Sequence, residues 1–246
     1  MSDHISQPSG SRIQRPLFDP VAQPWVLSDT RRGPVPEDCL NPDFIRTVLG
    51  RNIETTVEEL PREVLATGWE HRREPVPAAV LVPVVMRQEG LTVLLTQRTA
   101  HLSAHAGQVS FPGGRMEPTD RDPVDTALRE THEETGLAQD YVDVVGRLPQ
   151  YFTGTGFSIT PVTALVRPEF ELMPDTFEVA EVFEVPLSFL VNPSNYRVHQ
   201  VALPNGMRRQ YFSLVWDKFF IWGATAAMLR NMYHVLVQGL SETRRL

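Results

Sequence analysis

Residues Asp122 to Leu137 read DPVDTALRETHEETGL, and this stretch predicts a helix with both ends marked. Asp122 is a strong N-cap, and Pro123 suits the first helical position, where an N–H would go unused. Gly136 ends the helix because glycine adopts the left-handed conformation without penalty. Val124, Ala127, Leu128 and Thr131 give it an inward side. Glu130 and Glu134 are four apart and Glu133 is three from Glu130, so the three carboxylates share one wedge of the helix surface.

Such a wedge is unfavourable by itself. Like charges at these spacings cost roughly 0.2–0.5 kcal/mol per pair. Carboxylates in the last turn also oppose the helix dipole, at about 0.3–1 kcal/mol each. Arg129 relieves part of this by pairing with Glu133 one turn on. A divalent cation would relieve more, and clustered hard oxygen ligands suit Mg²⁺ or Mn²⁺. Taken alone the string also fits a solvated acidic face. Its upstream context favours the cation, because Phe111-Pro112-Gly113-Gly114 leads backbone without side-chain bulk into the same helix, where a ligand can approach. His132 points away from the wedge and reads as structural.

With 246 residues, 41% hydrophobic and 22% charged, the chain can build one large domain with or without an extension. A formal charge of -7 argues against a nucleic-acid partner. A small anionic substrate stays compatible where cations or local arginines offset the repulsion. The single cysteine, Cys39, allows no intrachain disulfide and no cysteine-rich zinc site. No apolar run approaches the ~18 residues of a membrane span, and the first residues lack an apolar signal core. The expectation is a cytoplasmic enzyme without a membrane partner.

Residues 1–36, rich in Pro, Ser, Arg and Asp, read as a flexible or surface-draped arm. Residues 37–77 read as a helical extension and linker. In it Asn41 caps a helix that starts at Pro42 and carries Phe44, Ile45, Val48 and Leu49 inward, and Glu54 to Trp69 continue in helical pieces. Residues 78–240 read as the compact domain. Ala78 to Met86 is a nearly unbroken apolar run, as in a strand buried on both faces, and Leu91 to Thr96 returns beside it. His101 to Asp122 lacks periodicity and reads as a long functional loop. Strands follow at Val142 to Leu148, Ile159 to Val166 and Val179 to Val185. Pro204-Asn205-Gly206 marks a hairpin, and Gly223 precedes a closing helix at 224–237. The fold class is α+β, an α/β/α sandwich with a mixed sheet between helices. An apolar strand edge would allow a homodimer.

The stretch Gly114 to Leu137, GRMEPTDRDPVDTALRETHEETGL, resembles the box of the Nudix hydrolase superfamily. Gly114, Arg129, Glu130, Glu133, Glu134, Gly136 and Leu137 match. The spacing to Arg129 is one residue longer than the family pattern, Asp120 stands at the place of its first Glu, and Thr131 replaces an aliphatic residue. The resemblance implies a Nudix fold and metal-dependent cleavage of a pyrophosphate linkage. It implies that Glu130, Glu133 and Glu134 hold the cation with the Gly114 carbonyl, and that Arg129 orients Glu133. A metal-bound Glu, or Glu178 in the loop before a later strand, would take the proton from water. For Glu178 an exposed loop carboxylate is the plainer reading.

Leu94 to Gly114, LLTQRTAHLSAHAGQVSFPGG, is similar to the signature of the coenzyme A pyrophosphatase branch. Phe220 to Thr225 extends the likeness weakly. The branch implies hydrolysis of coenzyme A or its derivatives to 3′,5′-ADP and 4′-phosphopantetheine. Arg98, at a strand end, can meet a phosphate with two donors, or brace the loop. His105 and Gln108 can add donors or hold the loop together, and Gly113 and Gly114 let the ligand come close. A second arginine of the branch is replaced by Ser103, with Arg115 and Arg147 as possible substitutes. Competing expectations are a Nudix hydrolase of another nucleoside diphosphate derivative (ADP-ribose, a dinucleotide or a damaged nucleoside triphosphate) and a Nudix-fold binding module without turnover.

Overall fold

The computed structural model describes residues 19–28, 30–51, 74–102, 105–202 and 208–243. The helical pieces read at Glu54 to Trp69, Ser103, and the turn at Pro204 to Gly206 lie outside the described residues.

The apolar run becomes β2 (Val76–Arg87), the longest strand, with β3 (Gly90–Arg98) returning antiparallel beside it. β8 (Phe157–Val166) pairs with β2 in parallel, and β6 (Val142–Arg147) and β7 (Tyr151–Phe152) pair antiparallel with β8. β9 (Val179–Pro186) runs antiparallel along the other edge of β3. The sheet is therefore mixed. The chain before it forms β1 (Trp25–Leu27) and α1 (Pro42–Leu49). In α1 the Asn41 side chain accepts from the Phe44 N–H, as its sequence predicts. β1 joins β10 (Arg197–Ala202), β11 (Arg208–Trp216) and β12 (Phe219–Trp222) in a second, antiparallel sheet. The described part of the stretch read as an arm thus lies along β10 through Trp25, Val26 and Leu27.

Because side chains alternate along a strand, β2 feeds the core on both faces of the sheet. Ala79 and Leu81 pack against Ala127 of α2 (Pro123–Thr135), with Val162 and Ala164 of β8. Val82 and Val84 face the opposite way, toward Phe212, Leu214 and Ile221 of the second sheet and Leu229, Met232 and Leu236 of α4 (Gly223–Thr243). Each Val, Leu, Ile, Phe or Met among them contributes about 1.5–3 kcal/mol when fully buried. The α+β expectation, a mixed sheet between helices, holds. A four-residue helix, α3 (Leu187–Leu190), links β9 to the second sheet. No described helix is long and apolar enough to cross a membrane.

Two differences from the sequence reading follow from long-range contacts. The segment read as a loop without structure contains β4 (Val109–Ser110), paired with β3, and β5 (Gly113–Arg115), paired with the start of β2. The closing helix runs six residues beyond its expected end. Within that extension Gly239 packs on α1, where a Cβ would fall 2.5 Å from the Val48 side chain.

Candidate active site

α2 forms where the sequence places it. The Asp122 carboxylate accepts from the Val124 and Asp125 N–H groups at 2.7 and 3.1 Å, and Gly136 closes the helix at φ 75°. Thr131, where the Nudix pattern has an aliphatic residue, is buried, and its hydroxyl donates to the Ala127 carbonyl at 2.6 Å. The last turn is finished by the loop after β8. Met173 N–H donates to the Thr135 carbonyl at 2.9 Å, and Asp175 N–H to the Glu134 carbonyl at 3.1 Å. Carbonyls that the helix itself leaves unsatisfied therefore anchor the turn that carries Glu178.

The three glutamates occupy different environments. Glu134 has a side chain 6% exposed. It accepts from the Gly113 N–H at 3.2 Å and lies 3.4 Å from Arg98. Burial pushes its carboxyl up to about 7, against the pull of Arg98 and of the Gly113 N–H. Glu130, 19% exposed, packs against Gly114, where a Cβ would fall 2.4 Å from its carboxylate. Burial raises its pKa too, opposed by Arg129. Glu133 is 57% exposed and touches Arg129 at 3.1 Å. The expected common wedge is thus divided between two guanidinium groups.

Arg129 holds one part. Besides Glu133 it reaches Glu130 at 3.0 Å and the Arg115 carbonyl at 3.3 Å. Its firmest partner is Asp120, to which it donates twice, at 3.0 and 2.9 Å. Asp120 also accepts from the Glu117 N–H and the Thr126 hydroxyl. These bonds, Arg129 first, hold its carboxyl well below the usual carboxylate range. Sequence reasoning left Asp120 without a role because the extra residue before Arg129 broke the expected spacing. The signal was the acidic residue itself, standing at the place of the pattern's first Glu.

Arg98 holds the other part. It ends β3 at a register irregularity against β9 and lies between Glu134 and Glu178, 3.4 and 3.5 Å away. Its backbone N–H donates to the Gln108 carbonyl at 2.9 Å. His105 and Gln108 bond each other at 2.9 Å, so these two brace the loop. Val109 then accepts from the Thr225 hydroxyl at 3.0 Å, joining the loop to the segment Phe220 to Thr225. Of the suggested substitutes for the missing arginine, Arg147 pairs with Asp122 at 3.7 Å and the Arg115 guanidinium lies over the Phe157 ring. His132 Nδ1 lies 3.3 Å from the Leu137 carbonyl, in keeping with a structural role.

Comparison with known proteins fixes the family. The model of the NUDIX domain matches residues 75–202. The chain belongs to the Nudix family. An "Uncharacterized Nudix hydrolase NudL" of Enterobacter sp. (strain 638) is 39% identical over 179 residues, 71% of this chain and 88% of its own length. The protein of the same name from Escherichia coli (strain K12) is 39% identical over 156 residues, 63% and 80% of the two chains. The crystal structure of a MutT/nudix family protein from Enterococcus faecalis superposes with a TM-score of 0.42 at 18% identity, covering 82% of this chain and 75% of that one.

The donor chemistry of this Nudix hydrolase fits a hard divalent cation. Glu130 and Glu134 are carboxylates that burial makes costly to charge, and both lie against the Gly113–Gly114 bend. Among the described residues no group of three or more His, Cys, Asp or Glu side chains forms a ready cation site. Arg98 lies between Glu134 and Glu178, and Arg129 among Asp120, Glu130 and Glu133.

Proposed function

We propose that the protein hydrolyses the diphosphate of a nucleoside-diphosphate-linked substrate with Mg²⁺ or Mn²⁺, and that this substrate is coenzyme A or one of its derivatives. The observation that carries the reading is the buried Glu134 carboxylate, set between the Gly113 N–H and Arg98 with Glu130 on the adjoining glycine. A buried carboxylate with a raised pKa beside a backbone bend is a feature of sites that do chemistry.

In this reading Glu130, Glu133 and Glu134 supply oxygens to the cation together with the Gly114 carbonyl. The cation, when bound, lowers the pKa of an attacking water and offsets charge on the phosphoryl oxygens. Glu178 takes the proton from that water, and Arg98 positions it. The Arg98 contacts to Glu134 and Glu178 are long, and its five N–H donors leave some for a phosphate oxygen. Asp120 keeps Arg129 from swinging away, and Arg129 in turn sets Glu130 and Glu133. His105 and Gln108 shape the loop over the phosphates.

Family membership supports the broad class equally well for ADP-ribose, a dinucleotide or a damaged nucleoside triphosphate. The preference for coenzyme A rests on the residues Leu94 to Gly114. Several of these serve the fold: Leu94, Leu95 and Phe111 are core residues, and Thr96 bonds to Ser110. The deciding experiment incubates the protein with coenzyme A, ADP-ribose and a dinucleotide, with Mg²⁺ or Mn²⁺, in oxygen-18 water. Mass spectrometry should find 3′,5′-ADP and 4′-phosphopantetheine, one of them labelled. Equal or faster turnover of ADP-ribose would reject coenzyme A as the substrate.

A further inference from the structure

Phe177 is 65% exposed, and no described Phe or Trp is more so. An exposed phenyl ring is ordinary on a mobile loop, but the backbone that carries this one is bonded on both sides. Its N–H donates to the Asp175 carboxylate at 2.9 Å, and its carbonyl accepts from the Thr99 hydroxyl at 2.8 Å. The next residue, Glu178, donates its N–H to the Asp175 carbonyl at 3.1 Å and accepts from the Thr99 N–H at 2.9 Å. The ring meets the exposed His101 ring edge to face, with centroids 4.9 Å apart. Turn, ring pair and β3 end thus form one braced unit.

That unit adjoins the reaction site. Phe177 is one residue from Glu178, which lies 3.5 Å from Arg98, the guanidinium assigned to a phosphate oxygen. In a nucleoside diphosphate only the ribose separates the first phosphate from the base. A rigid, solvated aromatic surface at that place matches the face of a planar base, and stacking on it needs little further ordering of the protein.

We propose that Phe177, steadied by His101, is the stacking platform for the nucleobase of the substrate and so a specificity-determining residue. This deepens the proposed function and rests on it for the position of the diphosphate. The platform predicts a loss of base-dependent affinity with phosphate-dependent affinity kept. Both rings lie at the surface, so their removal should change stability little.

The test is calorimetric binding, with Mg²⁺, of ADP, 4′-phosphopantetheine and methylenediphosphonate to the full chain, its Phe177→Ala variant and its Phe177→Tyr variant. Phe177→Ala should weaken ADP about ten-fold and leave methylenediphosphonate unchanged, while Phe177→Tyr restores ADP. In steady state the Ala variant should raise KM for a nucleotide substrate far more than it lowers kcat. Undiminished ADP affinity in Phe177→Ala would overturn the platform, as would a wild-type chain that does not bind ADP. A loss confined to 4′-phosphopantetheine would reassign the ring to the other arm of the substrate and overturn the base assignment. If the wild type binds ADP in the expected pattern but cleaves no diphosphate, the hydrolase reading fails and the platform stands.

Discussion

The carboxylate of Glu130 fills the space that a side chain on Gly114 would need: a Cβ built there falls 2.4 Å from both its Cδ and its Oε1. Gly114 is therefore a glycine for the sake of an acid on another element. Gly114→Ala should move the flexible end of Glu130 and little else. Hydrolysis should fall at least about ten-fold, the low end for disturbing a metal's surroundings. Thermal unfolding should shift by no more than about 4 °C, the effect of roughly 1 kcal/mol in a domain of this size. A variant with full activity would show that the contact is incidental.

Gly113 gives the contrasting case. Its φ is +153°, and a Cβ there would meet the Ala79 carbonyl oxygen at 2.4 Å and the Val80 Cα at 2.5 Å. Both are backbone atoms of β2 and cannot rotate aside. Gly113→Ala should lose about 2 kcal/mol or more of stability, seen as a lower unfolding midpoint in denaturant. Comparable midpoints for the two alanine variants would remove the distinction.

Glu134→Gln separates chemistry from stability. The wild-type carboxyl is penalised by burial, so the neutral amide should leave the unfolding temperature level or raise it. With Glu134 as the cation ligand proposed above, turnover should drop by at least about ten-fold. Activity near the wild-type level would take the proposed role from this residue.

Asp120→Asn tests positioning. Asparagine cannot give Arg129 a charged two-oxygen partner, so Arg129 should hold Glu130 and Glu133 less well. Activity should fall about ten-fold or more, with more Mg²⁺ needed for half-maximal rate. An unchanged Mg²⁺ requirement would make the Asp120–Arg129 pair purely structural.

Away from the site, Arg87 donates to both oxygens of Glu184 at 3.1 and 2.6 Å, and Thr92 donates to one of them at 2.5 Å. Burial alone would raise the pKa of Glu184. The bonds from Arg87 and Thr92 outweigh it and leave the folded-state value below the ordinary one. A carboxyl depressed on folding adds stability above its unfolded pKa and loses it as pH falls through the folded value. Thermal melts of wild type and Glu184→Gln should therefore differ most near neutrality and converge as the pH falls below about 4.3, the unfolded reference for Glu. A gap that widens in acid would contradict the pairing.

How much was legible in the sequence depended on range. α2 was placed to the residue because its caps, Asp122 and Gly136, act within a few residues of the helix. β4 and β5 were hidden because two- and three-residue strands exist only through pairing with β3 and β2. The same holds for Arg98. Its strand-end position was readable, but its place between Glu134 and Glu178 depends on α2 and β9 folding against β3. Glu178 was visible as the residue before β9, while the contact that brings Asp175 to the last turn of α2 was not. The closing helix was placed, but its last turn was not, since the packing of Gly239 on Val48 of α1 is a long-range contact.

The most direct test of the central claim is Mn²⁺ titration of the wild type and of the Glu130→Gln/Glu134→Gln double variant, read by electron paramagnetic resonance. The wild type should take up Mn²⁺ more tightly when a nucleoside diphosphate is present, and the double variant should bind at least about ten-fold more weakly. Equal Mn²⁺ affinity in the two proteins would contradict it, because the cation would then lie somewhere other than beside the Gly113–Gly114 bend.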